Sequence, residues 1–258
     1  MILFFTGTGN SRYVARLLGQ ELNDDQIIEL TGDFLLYPER FKVESGEGQR
    51  VIWVFPTYSW GVPPVVVDVI SKIKIEGGEW ADHYMVTTCG DDIGMCHQQW
   101  RDLISARWWK PVATFSVRMP NTYVCMKGFD VDSQSIAEGK IHEAPLRVRS
   151  IADFIKQRFE IDDVVKGKWP MVKTRFIYPY FKKHYMNPEA FRVRTDVCCS
   201  CGKCARNCPM DNIVMKGNFP VWGAGCAMCL RCYHGCPNHA IEYGNSTLTK
   251  GQYMFPEK

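Results

Sequence analysis

Twelve cysteines are the residues of this 258-residue chain best suited to chemistry, and they are unevenly placed. Cys89, Cys96 and Cys125 are scattered, while nine fall between Cys198 and Cys236. Cys198, Cys201, Cys204 and Cys208, followed by Pro209, have the spacing C-x2-C-x2-C-x3-C-P, and Cys226, Cys229, Cys232, Cys236 and Pro237 repeat it. Thiolates at this spacing hold three irons of one cubane, and the fourth cysteine of each run reaches across to the other cluster. The rule gives two mixed ligand sets: Cys198, Cys201, Cys204 and Cys236 for one 4Fe-4S cluster, and Cys226, Cys229, Cys232 and Cys208 for the second. Cys199 breaks the two-residue spacing and is assigned no ligand role. Zinc is the rival metal, but paired structural zinc sites use separate C-x2-C knuckles. Each ligand recurs at an offset of 28 residues, as does Ile213 at Ile241, so the tail reads as an internal duplication. Both isoleucines are expected to pack against the clusters and keep water away.

A second kind of chemistry is suggested near the start. Met1–Phe5 is a continuous apolar run suited to a central parallel strand, and Ser11–Leu22 carries Val14, Leu17, Leu18 and Leu22 at helical spacing. Between them Thr6-Gly7-Thr8-Gly9-Asn10-Ser11 forms a hydroxyl-rich loop opening into a helix N-terminus, a physical site for a phosphate. The loop lacks the Gly-Lys-Ser/Thr ending of an ATP-binding loop, and Arg12 stands where a dinucleotide loop needs glycine. Two more strand-loop-helix units follow. Val51–Phe55 leads into Pro56-Thr57-Tyr58-Ser59-Trp60-Gly61 and a helical pattern through Ile73; Tyr84–Thr88 leads into Cys89-Gly90-Asp91-Asp92-Ile93-Gly94 and a helical pattern through Arg107. Alternation of this kind predicts a doubly wound parallel sheet with its ligand at the carboxyl ends of the strands. Lys110–Val117 reads as the last strand, and the stretch from Met119 to Ser135 is long enough to cover that edge, bringing Asn121 or Tyr123 near the ligand. The final helix is expected from Ile141 to Phe159, with Pro145 kinking or beginning it.

These residues resemble the flavodoxin family, and with the tail the chain resembles flavodoxin-ferredoxin fusions of anaerobic prokaryotes. The implied fold is α/β, a doubly wound parallel flavodoxin-like sheet followed by a small α+β two-cluster ferredoxin domain. The implied division is a flavodoxin-like domain over 1–160, a basic aromatic connector over 161–190 and a ferredoxin-like domain over 191–258. The implied cofactors are FMN and two 4Fe-4S clusters. Carried over position by position, Thr6, Thr8, Gly9, Asn10 and Ser11 would bind the FMN phosphate; Thr57, Tyr58, Ser59, Trp60 and Gly61 would border the flavin; Thr88, Cys89, Gly90, Asp91 and Gly94 would complete the opposite side. The third loop offers no aromatic, which leaves one flavin face open beyond Tyr58 or Trp60.

Composition narrows the partners. A 46% hydrophobic content excludes a disordered chain, and a formal charge of +3 gives no electrostatic case for nucleic acid or an anionic membrane. Bound clusters and an FMN phosphate would carry that charge to about −3. No uncharged apolar run approaches the roughly 20 residues of a membrane span, and the opening residues have no basic leader; a cytoplasmic protein is expected. Val164–Thr195 interleaves aromatics with basic residues and holds one acid, Glu189; it reads as an ordered tether that could also receive an acidic electron-transfer partner, such as a ferredoxin. Clusters and flavin on one chain imply a redox protein, a flavin-dependent oxidoreductase of a small molecule fed by low-potential electrons. The alternative is an electron carrier without its own substrate. A homo-oligomer is compatible with either, and no general acid is assigned: Tyr58, Tyr123 and Cys89 are candidates by proximity alone.

Overall fold

The computed structural model describes residues 1–44 and 49–256, so the last two residues of the tail lie outside the described part. Strands of the body are β1 (Ile2–Phe4), β2 (Ile27–Glu29), β3 (Lys42–Glu44), β4 (Arg50–Pro56), β5 (Lys74–Glu76), β6 (Asp82–Cys89), β7 (Lys110–Arg118) and β8 (Asp162–Asp163). One sheet has the order β2-β1-β4-β6-β7-β8, and every neighbouring pair in it is parallel. β3 and β5 pair with each other outside it. The main sheet therefore reads 2-1-3-4-5-6, the flavodoxin-like order with one added edge strand, and its switch point lies between β1 and β4.

Parallel strands need crossovers, and these are α1 (Asn10–Leu22), α2 (Asp33–Leu36), α3 (Pro64–Lys72), α4 (Cys96–Ser105) and α5 (Gln134–Lys156). The two-residue period of β4 sends Val51, Trp53 and Phe55 to one face with α3 and α4, and Ile52 and Val54 to the other with α1 and α5. Both faces are thus covered, which explains why the central strands are apolar without interruption.

Two expectations are corrected. Lys110–Val117 is not the last strand, because β8 extends the sheet beyond it. Its Asp-Asp sequence carries no apolar signal; Asp162 is held by the Thr114 hydroxyl at 2.6 Å and by Arg101 at 2.7 Å. Pro145 does not begin the final helix, which starts at Gln134 and ends at Lys156, leaving Phe159 outside it. Buried Ala144, Val148, Ile151 and Ile155 seat this helix beside α1, so packing outweighs the hydrogen bond that proline forfeits.

The tail is a small α+β unit. β9 (Phe191–Val193) pairs antiparallel with β12 (Ile241–Tyr243), and β10 (Ile213–Lys216) with β11 (Phe219–Trp222). The backbone repeats at the same offset as the cysteines. One-turn helices at Lys203–Arg206 and Arg231–His234 correspond, as do the left-handed residues Ser200 and Met228, Gly202 and Leu230, Asp211 and His239. No described helix is long and apolar enough to cross a membrane.

His83 gives the body a pH signature. It is fully buried, accepts the Trp53 indole N–H at Nδ1 (3.1 Å) and donates from Nε2 to the Gly78 carbonyl (2.9 Å). Burial lowers its pKa to about 4. The unfolded chain, with a histidine near 6.5, therefore binds the proton more readily. Its stabilising contribution is complete above about pH 6.5 and falls as the pH drops toward 4, on the order of a hundredfold in the folding equilibrium. Urea unfolding at pH 7, 5.5 and 4.5 should show that loss, and His83→Gln should flatten it; an unchanged slope in the variant would refute the assignment.

Candidate functional site

The loop after β1 sits at the switch point, and its conformation is held from outside. Arg231, from the tail, donates from Nε to the Gly7 carbonyl at 2.8 Å and from Nη2 to the Thr6 carbonyl at 2.7 Å. The Phe255 amide donates to the Thr8 carbonyl at 2.8 Å, and Tyr13 of α1 donates to Gly9 at 3.0 Å. Four successive carbonyls are thus turned outward. Among the described residues the buried amides of Gly7, Thr8, Asn10 and Ser11 have no protein acceptor, whereas that of Gly9 donates to the Thr6 hydroxyl. Buried unpaired amides at a helix start fit an anion, and a phosphate supplies the acceptors they lack.

The same loop lines a cleft of about 530 Å³ with Pro56, Thr57, Tyr58, Thr88, Cys89, Gly90, the segment Met119–Tyr123 and Cys229. An adjoining hollow of about 600 Å³ is lined by Ser59, Trp60, Asp91, Asp92, Met126 and Phe129, and shares Thr57, Cys89, Gly90, Asn121 and Tyr123 with the first. Both figures include solvent-open space at the mouths of the hollows. Asn10 Oδ1 and the Tyr58 and Tyr123 hydroxyls are buried at the first cleft without partners among the described residues, as expected where a polar ligand is received.

Backbone geometry positions the walls. Tyr58 and Gly61 exchange both backbone hydrogen bonds across Ser59 and Trp60, which have φ of 44° and 67°. Two non-glycine residues in the left-handed region carry strain of the kind that accumulates at functional loops. Below them the Thr57 and Thr87 hydroxyls bond at 2.9 Å, and Ser11 bonds Thr88 at 2.8 Å. The stretch after β7 covers the cleft: Asn121 lies over Gly90, where a Cβ would come within 1.6 Å of its Oδ1, and Asp132 accepts from both its amide and its side chain. Tyr123 stands edge-on to Phe129 and Phe181. This loop supplies the aromatic that Cys89–Gly94 lacks. Burial pushes the Cys89 thiol up to about 12, so it is a neutral wall residue and not a nucleophile. Burial, followed by Cys229 and Cys226, raises the Tyr58 hydroxyl well above its usual range.

Three expected residues face elsewhere. Gly9 lies beneath Phe255, Gly61 beneath the Tyr178 ring, and Gly94 against Thr174 and Trp60. None of the three lines either hollow. The sequence reading missed Arg231, Phe255 and the presence of Cys229 in the cleft; the legible trace was that Arg231 and Lys203 are the repeat-related residues flanked by cysteines.

Cys198, Cys201, Cys204 and Cys236 line one cavity in the tail, together with Met215, Pro220 and Ile241. Cys199 lines it too, and Cys236 is the one cysteine there from the second run. Cys208 lies near enough to Cys226, Cys229 and Cys232 to raise all three thiols, although burial is the larger cause. The Cys226 thiol is pushed up to about 12. The repeat-related amides of Asn212 and Ala240 donate to Cys208 Sγ at 3.4 Å and Cys236 Sγ at 3.2 Å. Buried thiols of raised pKa become thiolates beside a metal cation. Among the described residues no three Cys, His, Asp or Glu side chains converge to hold a single ion.

The two halves meet at this site. Gly7 is so close to the tail that a Cβ would stand 2.3 Å from the Cys229 carbonyl, and Ala227 is buried in the body's core. Arg231 also pairs with Glu29 at 3.1 Å. Removing its head group leaves the Thr6 and Gly7 carbonyls without these charged donors, a loss of about 3 kcal/mol. Arg231→Met should therefore uncouple the tail, giving two thermal transitions by calorimetry; one transition at an unchanged midpoint would contradict the clamp.

No protein-family model matches the chain, and no curated protein matches it. Among solved structures it is similar to "rubredoxin oxygen:oxidoreductase (ROO) from anaerobe Desulfovibrio gigas", at 14% identity and a TM-score of 0.35. The likeness covers 61% of this chain and 36% of that one, so the chain spans about a third of that structure's length.

Proposed function

We propose that this chain is a redox protein that binds FMN in the cleft at the β1/β4 switch point and two 4Fe-4S clusters in its tail, and passes electrons between them within one polypeptide. The observation that carries the reading is Cys229: it belongs to the second thiol set and also forms part of the wall of the cleft. A flavin site and a cluster site that share a wall suit electron transfer without a diffusing intermediary.

In this reading the amides of Gly7, Thr8, Asn10 and Ser11, with the Thr6 and Thr8 hydroxyls, hold the phosphate. Thr57, Tyr58, Ser59 and Trp60 border the ring on one side, and Thr88, Cys89, Gly90 and Asp91 on the other. Cys198, Cys201, Cys204 and Cys236 hold one cluster; Cys226, Cys229, Cys232 and Cys208 hold the other. Bound FMN would supply exchange between one-electron and two-electron chemistry, and the clusters one-electron relay. The loop Met119–Tyr123 lines the cleft, and the buried Tyr58 and Tyr123 hydroxyls offer hydrogen bonds to a polar group there. A covered cleft with unpartnered hydroxyls favours a reductase of a small molecule over a simple carrier. The electrons would come from a low-potential carrier protein. The division into a body over 1–160, a connector over 161–190 and a tail from 191 is part of this proposal.

Anaerobically reconstituted protein should contain about eight irons per chain and one FMN. Cys236→Ser should halve the iron and abolish the cluster of the first run while retaining FMN. Loss of the second cluster instead, or iron at one atom per cysteine quartet, would overturn the ligand sets; absence of FMN would overturn the cleft assignment.

A further inference from the structure

Between body and tail the chain forms a continuous helical segment: Pro170–Val172, a wide turn over Lys173–Ile177 and a helix over Tyr178–His184. The wide turn precedes Pro179, which has no N–H for the Arg175 carbonyl, and Tyr178 N–H donates five residues back to Lys173. One face is fastened to the cleft loops. The Thr174 hydroxyl donates to the Trp60 carbonyl at 2.7 Å and accepts the Met95 amide at 2.8 Å, the Tyr178 hydroxyl donates to Val62, and Phe181 is buried.

The opposite face is exposed among the described residues. Trp169 is 74% exposed, Phe176 66% and Tyr180 54%, with Val172 between them. Lys166, Lys168, Arg175 and Lys183 are exposed on this segment, as is Lys182 at its edge, over the Tyr178 ring at 4.8 Å, and none has a carboxylate partner among the described residues; Lys173 alone is neutralised, by Asp92 at 2.6 Å. From Val164 to His184 the sequence contains no Asp or Glu. A contiguous exposed apolar stripe marks a binding surface, and an all-cationic rim specifies an acidic occupant.

We propose that this face is the docking surface for a small, acidic, one-electron carrier protein of the iron-sulfur class. The proposal rests on the redox reading above for the carrier's role, but not for its binding. Charge complementarity selects an acidic partner. Continuity with the cleft selects a redox protein: Lys173 lies over the Trp60 ring at 4.9 Å, and Trp60 stands edge-on to Phe129, both lining the outer hollow. A carrier seated here lies beside the cleft, on the loop side and not on the cysteine side. An anionic bilayer is the less suitable occupant, because the segment is short, interrupted at Lys173–Ile177 and fixed to loops on one side.

The test is calorimetric binding of an oxidised acidic two-cluster ferredoxin, as the probe, to the reconstituted full chain over a range of NaCl concentrations. Wild type should bind at least tenfold more weakly at physiological than at low salt. Lys168→Glu/Arg175→Glu/Lys182→Glu should weaken binding at least tenfold at low salt and flatten the salt dependence. Phe176→Ser should weaken it several-fold with the salt slope intact. All four side chains are exposed, so an unchanged melting midpoint verifies folding, and the conservative triple Lys168→Arg/Arg175→Lys/Lys182→Arg should bind like wild type. Equal binding by wild type and the charge-reversed triple overturns the proposal. So does wild type that ignores the ferredoxin but sediments with 3:1 phosphatidylcholine:phosphatidylserine vesicles or retains a single-stranded oligonucleotide. FMN and iron assayed on the same sample separate the two readings: carrier binding by protein that takes up no FMN retires the flavin assignment and leaves docking intact, while loaded protein that does not bind retires docking alone.

Discussion

The outward pull on the Thr6, Gly7 and Thr8 carbonyls is the constraint on which the rest depends. A strand-to-helix loop at the end of a parallel strand has to satisfy its backbone groups in a confined space, and this chain does so from the tail: Arg231 takes two carbonyls and the Phe255 amide a third. Turning the carbonyls out leaves the amides facing in, so the proposed anion site and the joint between the two halves coincide. The same contact places the Cys229 carbonyl against Gly7, a position where any side chain would collide.

From that joint the remaining architecture follows. The doubly wound sheet fixes the cleft at the strand ends, where the loops after β1, β4 and β6 supply its polar lining. The stretch after β7 then closes the top, tied to the tail by Lys250, whose ammonium donates to the Val124 and Phe129 carbonyls, and by His234, whose Nε2 meets the Thr122 carbonyl at 2.7 Å. The connector closes the outer side through Thr174 and Tyr178. Body, stretch after β7 and tail all contribute to the walls of the cleft.

How much of this was legible in the sequence depended on burial. β1, β4, β6 and β7 were readable because both faces of a central parallel strand are buried, which forces long apolar runs. β2, β3, β5 and β8 are two or three residues long and carry Glu, Lys or Asp, and such edge segments have no periodicity to detect. The cysteine quartets were legible because metal chemistry fixes spacing within a local segment. The residues that join the halves were not, since Arg231 meets Gly7 and Phe255 meets Thr8 across more than two hundred positions of chain, and nothing local marks an arginine between two cysteines as a clamp for a distant loop. Trp60 was expected at the site, but its left-handed backbone was hidden because neither Ser59 nor Trp60, the two left-handed positions of the turn, is glycine.

The central claim is that electrons pass between the cleft and the thiol-rich tail inside one chain. Flash photoreduction of the loaded protein, followed at flavin and cluster wavelengths over a wide range of protein concentration, tests it most directly. The account predicts a first-order rate independent of concentration, slowed when Arg231 no longer holds the tail in place. A rate proportional to concentration would mean that the centres meet only between molecules and would contradict the account.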